Sequence, residues 1–296
     1  MIAIDGIAKR YGQVHAVERL SFGVEAGTVV GFLGRNGAGK STTLRILAGL
    51  ARASEGRATV DGRPYRELAH PMRVAGFGLD AMAFHPGIPG RRQLETLAVR
   101  GGVPLRRVGE VLGMVELEAP SRRPVRTYSL GMRQRLLLAA AMLGDPRAIV
   151  LDEPTNGLDP QGHRWLREFL RARAAEGRAV LLSSHVLGDV AETVDRVVVI
   201  ARGRLVADAP VGELTGNGAV RVASPEAERL AALLRERGGR IDPLGGEAMT
   251  VRGVRRDDVG DLASGHGIAL HELVEQRSSL EDVFFELTEQ EGLTPR

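Results

Sequence analysis

Short apolar runs punctuate the first two thirds of the chain, at Ile2–Ile7, Thr28–Leu33, Ile149–Asp152, Ala179–Ser183 and Arg196–Ala201, and each predicts a strand. Between them, Thr42–Ala48, Met132–Leu143 and Gln161–Ala175 carry apolar residues at helical spacing. Strand alternating with helix predicts a largely parallel sheet covered by helices, an α/β body. From Leu94 to Val115 the helical period returns with no strand between, which predicts an all-helical insertion over about residues 85–145. Its flanks, His85-Pro86-Gly87-Ile88-Pro89-Gly90 and Ala119-Pro120, read as loops.

A second pattern starts after Gly216-Asn217-Gly218, so the expected domains are 1–215 and 216–296. Strands are predicted at Ala219–Ala223, Arg240–Leu244, Ala248–Arg252 and Ile268–Val274. One helix is expected to start at Ser224-Pro225, with a cap and a first-turn proline, and to end at Gly238-Gly239; another fits Asp257–Ala263. The order β-α-β-β-α-β predicts a small α+β, ferredoxin-like domain. A last helix is expected from the capping box Ser279-Leu280-Glu281-Asp282.

At 296 residues, against roughly 100–200 per domain, two domains suit the length. The longest wholly apolar stretch, Leu136–Leu143, is far below the roughly 18 residues that cross a bilayer, and no signal-peptide pattern opens the chain. The expected location is cytoplasmic, with any membrane contact made through a partner. The absence of cysteine excludes disulfide scaffolds, thiolate metal sites and thiol chemistry. Net charge divides unevenly. Residues 1–215 carry 30 basic and 22 acidic groups, and residues 216–296 carry 10 and 15. A mildly basic body suits an anionic ligand, and an acidic tail opposes nucleic acid, which is not expected as a partner. Of 40 cations 38 are arginine; the lysines are Lys9 and Lys40, which suggests a need for an ammonium where one is kept.

Lys40 lies in Gly34-Arg35-Asn36-Gly37-Ala38-Gly39-Lys40-Ser41-Thr42, the P-loop pattern, between a predicted strand and a predicted helix. Such glycines let successive amides turn inward around phosphate oxygens, and the helix N-terminus adds its positive dipole end. Lys40 would reach the β- and γ-phosphates and Ser41 would offer its hydroxyl to Mg²⁺. Asp152-Glu153 ends the apolar strand at 149–151, where open α/β sheets bind ligands. Asp152 suits Mg²⁺ positioning through water, and Glu153 suits the base for the water attacking the γ-phosphate. His185 follows the next strand, from which an imidazole could touch the γ-phosphate; taken alone, such a histidine is structural or solvated. Ser129 and Gly131, in Tyr128-Ser129-Leu130-Gly131-Met132-Arg133-Gln134-Arg135, start an apolar helix and make an anion site.

That segment resembles the signature motif of ABC ATPases, with Ser129 and Gly131 at the positions that contact ATP. The order of P-loop, signature, Asp152-Glu153, Asn156-Gly157-Leu158-Asp159 and His185 is similar to the nucleotide-binding domain of an ABC transporter over residues 1–215. The resemblance implies the P-loop NTPase fold, ATP and Mg²⁺ as cofactors, and ATP hydrolysis. It also implies a head-to-tail homodimer or heterodimer, each ATP lying between one P-loop and the opposite signature, and a transmembrane permease supplied in trans. Asp159 resembles the acid that runs across the dimer interface and orders the surroundings of the attacking water. Tyr11 is similar to the aromatic residue that stacks on adenine, although a tyrosine there also suits plain packing.

One position departs from the family pattern. A glutamine usually follows the strand near Val74–Leu79, linking Mg²⁺ to the membrane partner, and this chain has Asp80. A carboxylate there could bind metal through water. The form Tyr128-Ser129-Leu130-Gly131-Met132 and a tail of about 80 residues resemble the bacitracin and daunorubicin resistance group, and so imply export. The tail reads as a packing or regulatory module. Two other classes stay open: an ABC ATPase without a membrane partner, acting on ribosomes or nucleic acid, and a nucleotide sensor with little turnover.

Overall fold

A computed structural model describes residues 1–80, 82–215 and 219–276. The strands are β1 (Ile2–Tyr11), β2 (Val14–Val24), β3 (Val29–Leu33), β4 (Glu55–Val60), β5 (Ala75–Gly78), β6 (Ala148–Leu151), β7 (Ala179–Ser184), β8 (Arg196–Ala201), β9 (Arg204–Pro210), β10 (Ala219–Ala223), β11 (Arg240–Gly245), β12 (Ala248–Arg252) and β13 (Glu272–Gln276). The helices are α1 (Lys40–Leu47), α2 (Pro71–Val74), α3 (Gly90–Arg100), α4 (Arg106–Met114), α5 (Leu130–Met142), α6 (Pro160–Ala175), α7 (Leu187–Ala191), α8 (Val211–Thr215), α9 (Ala227–Glu236) and α10 (Arg256–Gly265). Two compact units result, Met1–Ala209 and Pro210–Arg296. The division falls a few residues ahead of Gly216-Asn217-Gly218, which lie outside the described residues.

In the first unit a six-stranded sheet has the order β5-β6-β7-β3-β8-β9, and β5-β6-β7-β3-β8 pair in parallel. All five residues of β3 are buried, as expected of a parallel strand covered on both faces. A separate antiparallel sheet, β2-β1-β4, packs against it in one core, where Phe22 meets Phe32 with ring centroids 5.0 Å apart. The pattern marks β1 of this second sheet, but β2 escapes it for a local reason. Arg19 takes a φ of 45° and the β1–β2 register shifts more than once, so the buried positions Val17, Leu20, Phe22 and Val24 do not alternate regularly. The edge strand β9 arises from the hairpin Arg202-Gly203, both at positive φ, as a two-residue turn joining twisted strands requires. Between β5 and β6, α3, α4 and α5 pack on one another.

The second unit is an antiparallel sheet of order β11-β12-β10-β13. With α9 and α10 this is the split β-α-β-β-α-β topology, and Leu230, Leu234, Val259 and Leu262 of the helices share a core with Val220, Val222, Met249 and Val251. Two boundaries move. Ser224 does not cap the helix directly but closes a turn, accepting the Glu226 amide and donating to the Ala269 carbonyl, so α9 starts at Ala227. Ile268 bonds through its amide to the Ala263 carbonyl after Gly267 at φ 65°, which ends α10 and delays β13 to Glu272. The helix expected at Ser279 lies outside the described residues.

Candidate nucleotide site

β3 runs through the middle of the parallel sheet and delivers the chain at its carboxyl end into Gly34–Gly39, then α1. Two glycines are required by close approach. A Cβ on Gly34 would sit 2.6 Å from the Ile200 carbonyl oxygen, and one on Gly39 would sit 2.5 Å from that of Ala16, where φ is also 108°. The Ala38 amide donates to Arg35 and tightens the loop. Lys40, Ser41 and Thr42 form the first turn of α1, whose amides have no preceding helical carbonyl to meet. Among the described residues the Ser41 and Thr42 hydroxyls make no hydrogen bond. The amides that start α1 and the Ser41 and Thr42 hydroxyls are thus donors left over for an anion such as phosphate.

Lys40 is 5% exposed, and its Nζ donates to the Gly34 carbonyl at 2.6 Å and lies 3.2 Å from Glu153 Oε1. The other oxygen of Glu153 is 2.8 Å from His185 Nδ1 and accepts the His185 amide at 3.3 Å. Three residues from three strand ends, predicted separately, therefore meet at one carboxylate. Glu153 itself has a φ of 49°, a strained conformation for a residue with a side chain.

Ser183 holds this turn, and sequence reasoning passed over it. It is fully buried; its hydroxyl donates to Asp152 Oδ1 at 2.5 Å and accepts the Glu153 amide at 2.9 Å. The hydroxyl one place before Ser184 in Ser183-Ser184-His185 is its sole signal in the sequence. Asp152 keeps its second oxygen for another partner. The described residues contain no cluster of three or more acidic or histidine side chains able to hold a metal alone. Ser41 and Asp152 fit a divalent ion that arrives with phosphate oxygens.

Ser129 caps α5, its Oγ accepting the Met132 amide at 3.2 Å, and Gly131 follows within the first turn. Leu130 lies against Gly157, where a Cβ would be 1.9 Å from its Cδ2. Buried Gln134, also missed from sequence, places Nε2 3.5 Å from the carbonyls of both Glu153 and Asn156. The signature helix thus rests on the turn that carries Glu153. The hydroxyl of buried Tyr128 donates to the Pro120 carbonyl at 3.0 Å, and burial raises its pKa, which keeps the phenol a donor.

The structure gives two other acids definite partners. Asp159 caps α6, accepting the Gly162 amide at 2.7 Å ahead of Pro160. Asp80 accepts the Met82 amide at 2.8 Å in a turn of its own and lines a groove of about 560 Å³. No hydrogen bond among the described residues joins it to Ser41 or Asp152. Gln93 is also occupied, bracing the 85–88 loop through His85 and Ile88. Tyr11 is 53% exposed at the end of β1.

Comparison with known proteins identifies the family. A family model described as ABC transporter matches residues 17–156, and one described as a domain of unknown function matches residues 218–281. The chain is 35% identical to the daunorubicin resistance ATP-binding protein of Streptomyces coeruleorubidus, over 97% of this chain and 95% of that one. It is 36% identical to the bacitracin transport ATP-binding protein of Enterococcus faecalis, over 72% and 70%. An ATP-binding cassette solved as a dimer in a post-hydrolysis state with ADP and phosphate superposes with a TM-score of 0.64, covering 71% of this chain and 99% of that one; at 22% identity it attests the fold. A glycine-rich loop facing a carboxylate shared by a lysine and a histidine, on a cassette fold with a relative 35% identical over nearly the whole of both chains, places the chain in the ABC transporter ATP-binding family, as an ATPase.

Proposed function

We propose that the chain is the energy-supplying subunit of an exporter, cytoplasmic and peripheral on the membrane. It pairs head to tail with a second ATPase domain and powers a separate permease that moves an antibiotic or other amphipathic compound. The observation that carries this reading is the groove beside Asp80. It is lined by Leu50, Tyr65, Phe77, Leu79, Phe84 and Leu97, and Leu50 and Ile88 expose much of their surface. An apolar groove of this size suits an amphipathic helix of a partner. No helix among the described residues is long and apolar enough to cross a membrane. The relatives named for bacitracin transport and daunorubicin resistance support the cargo class.

Within the site, the P-loop amides and Lys40 hold the phosphates, and Ser129 and Gly131 complete the site of the opposite protomer. Ser41 and Asp152 would hold Mg²⁺, which when bound neutralises phosphate charge. Glu153 accepts a proton from water, His185 contacts the γ-phosphate and Asp159 fixes the interface turn. Tyr11 stacks on the base. The second unit serves as an accessory or regulatory domain.

Purification from gently solubilised native membranes tests the reading. A polytopic membrane protein in near-equal amount is expected, and recovery with ribosomes or as an isolated soluble chain would overturn it. Phe84→Asp is expected to reduce permease recovery at least tenfold with ADP binding unchanged. Asp80→Gln addresses the departure from the family pattern, because it keeps an acceptor for the Met82 amide while removing a charge. Basal phosphate release is expected to hold or rise; a collapse to the level of Glu153→Gln would give the acid a catalytic role.

A further inference from the structure

We propose that Lys9 is a positioning residue for the nucleotide base, acting through Tyr11. This rests on the reading of Tyr11 as the residue that stacks on the base. The Lys9 Nζ lies 4.7 Å from the centroid of the Tyr11 ring and donates to the Arg52 carbonyl at 2.8 Å. That carbonyl is a fixed anchor, because the following segment is tied along β1: the Ser54 amide donates to Ala8, the Ser54 hydroxyl accepts the Arg10 amide, and Glu55 pairs with Arg10 at 2.8 Å. The ammonium therefore covers one ring face and leaves the rest of a half-exposed ring open.

The ring also has the right address. Tyr11 pairs with Val14 across the β1–β2 hairpin, and two residues further along β2 the Ala16 carbonyl lies against Gly39 of the phosphate loop. That puts Tyr11 within roughly 7–10 Å of the loop along the strand, the scale that separates a base from its phosphates. An exposed aromatic side chain samples several rotamers and loses that freedom on stacking. Lys9 removes much of this loss in advance by holding the ring through cation–π attraction. One cationic donor serves both the carbonyl and the ring.

The test is equilibrium binding of ADP and of inorganic tripolyphosphate to the full chain, neither of which requires turnover. Lys9→Met is expected to weaken ADP binding about two- to five-fold and leave tripolyphosphate binding unchanged. Lys9→Arg, which keeps a cation able to stack, is expected to restore most of the loss. In a Tyr11→Ala background, Lys9→Met should have no further effect. Unchanged ADP affinity in Lys9→Met beside a loss in Tyr11→Ala would overturn the role of Lys9 and leave Tyr11 as the base contact. Equal weakening of both ligands would make Lys9 a general electrostatic contributor, which also overturns it. No loss in Tyr11→Ala would remove the base site itself.

Discussion

Glu153→Gln is expected to lower phosphate release by about 10²–10⁴-fold, the usual worth of a general base, while ADP still binds. The carboxylate is placed by contacts that an amide can largely keep. Its oxygens face Lys40 Nζ at 3.2 Å and His185 Nδ1 at 2.8 Å, and its backbone turn is held by Ser183. In the variant the amide oxygen can face the ammonium and the amide NH₂ can face a neutral imidazole, at the loss of the 3.3 Å bond from the His185 amide, while the turn at φ 49° keeps its bond to Ser183. What is lost is a basic oxygen next to the loop that holds the phosphates. Phosphate release under saturating ATP, with ADP affinity measured alongside, checks the expectation. Activity within tenfold of the parent would hand the base to another group. Loss of ADP binding together with activity would mean that the substitution had disturbed the loop itself.

Those contacts also show where sequence reading stops. The P-loop is legible because its requirement is local: nine consecutive residues contain the turn, the donors and the cation. The cap at Asp159 is local too, an acid followed by proline, yet the sequence reading assigns that acid only to the dimer interface. The parallel strands β3, β6, β7 and β8 are legible because they are buried and appear as apolar runs, whereas β5, Ala75-Gly76-Phe77-Gly78, is half glycine and carries no such run. Strand β2 is not, because a residue at positive φ breaks its alternation, and no composition rule anticipates where the chain will bulge. The Ser183 link is illegible for a different reason. Its partners lie 30 and 31 residues away and become neighbours only when β6 and β7 pair in register. Asp80 illustrates a third limit. Its position in the motif order carries no sign that one of its carboxylate oxygens accepts the Met82 amide.

Lys40→Ala is expected to weaken ADP binding by about 10- to 100-fold and to abolish measurable hydrolysis, because a charge-assisted bond to phosphate contributes roughly 1.5–3 kcal/mol and tenfold corresponds to about 1.4 kcal/mol. The fold should persist. Glu153 keeps His185, and the Gly34 carbonyl, freed of its 2.6 Å donor, can find water. Lys40→Arg separates charge from shape. The side chain is 5% exposed and its Nζ lies within reach of a backbone carbonyl and a carboxylate at once, a space fitted to a compact ammonium. A planar guanidinium keeps the charge but demands a wider, fork-shaped set of acceptors, so it is expected to recover no more than a small part of the affinity. Recovery to within twofold would show that charge alone suffices, and that the preference of this chain for arginine was set aside at Lys40 for no reason of geometry. Failure of Lys40→Arg beside an unchanged melting temperature would tie the ammonium to phosphate binding and not to the folding of the loop.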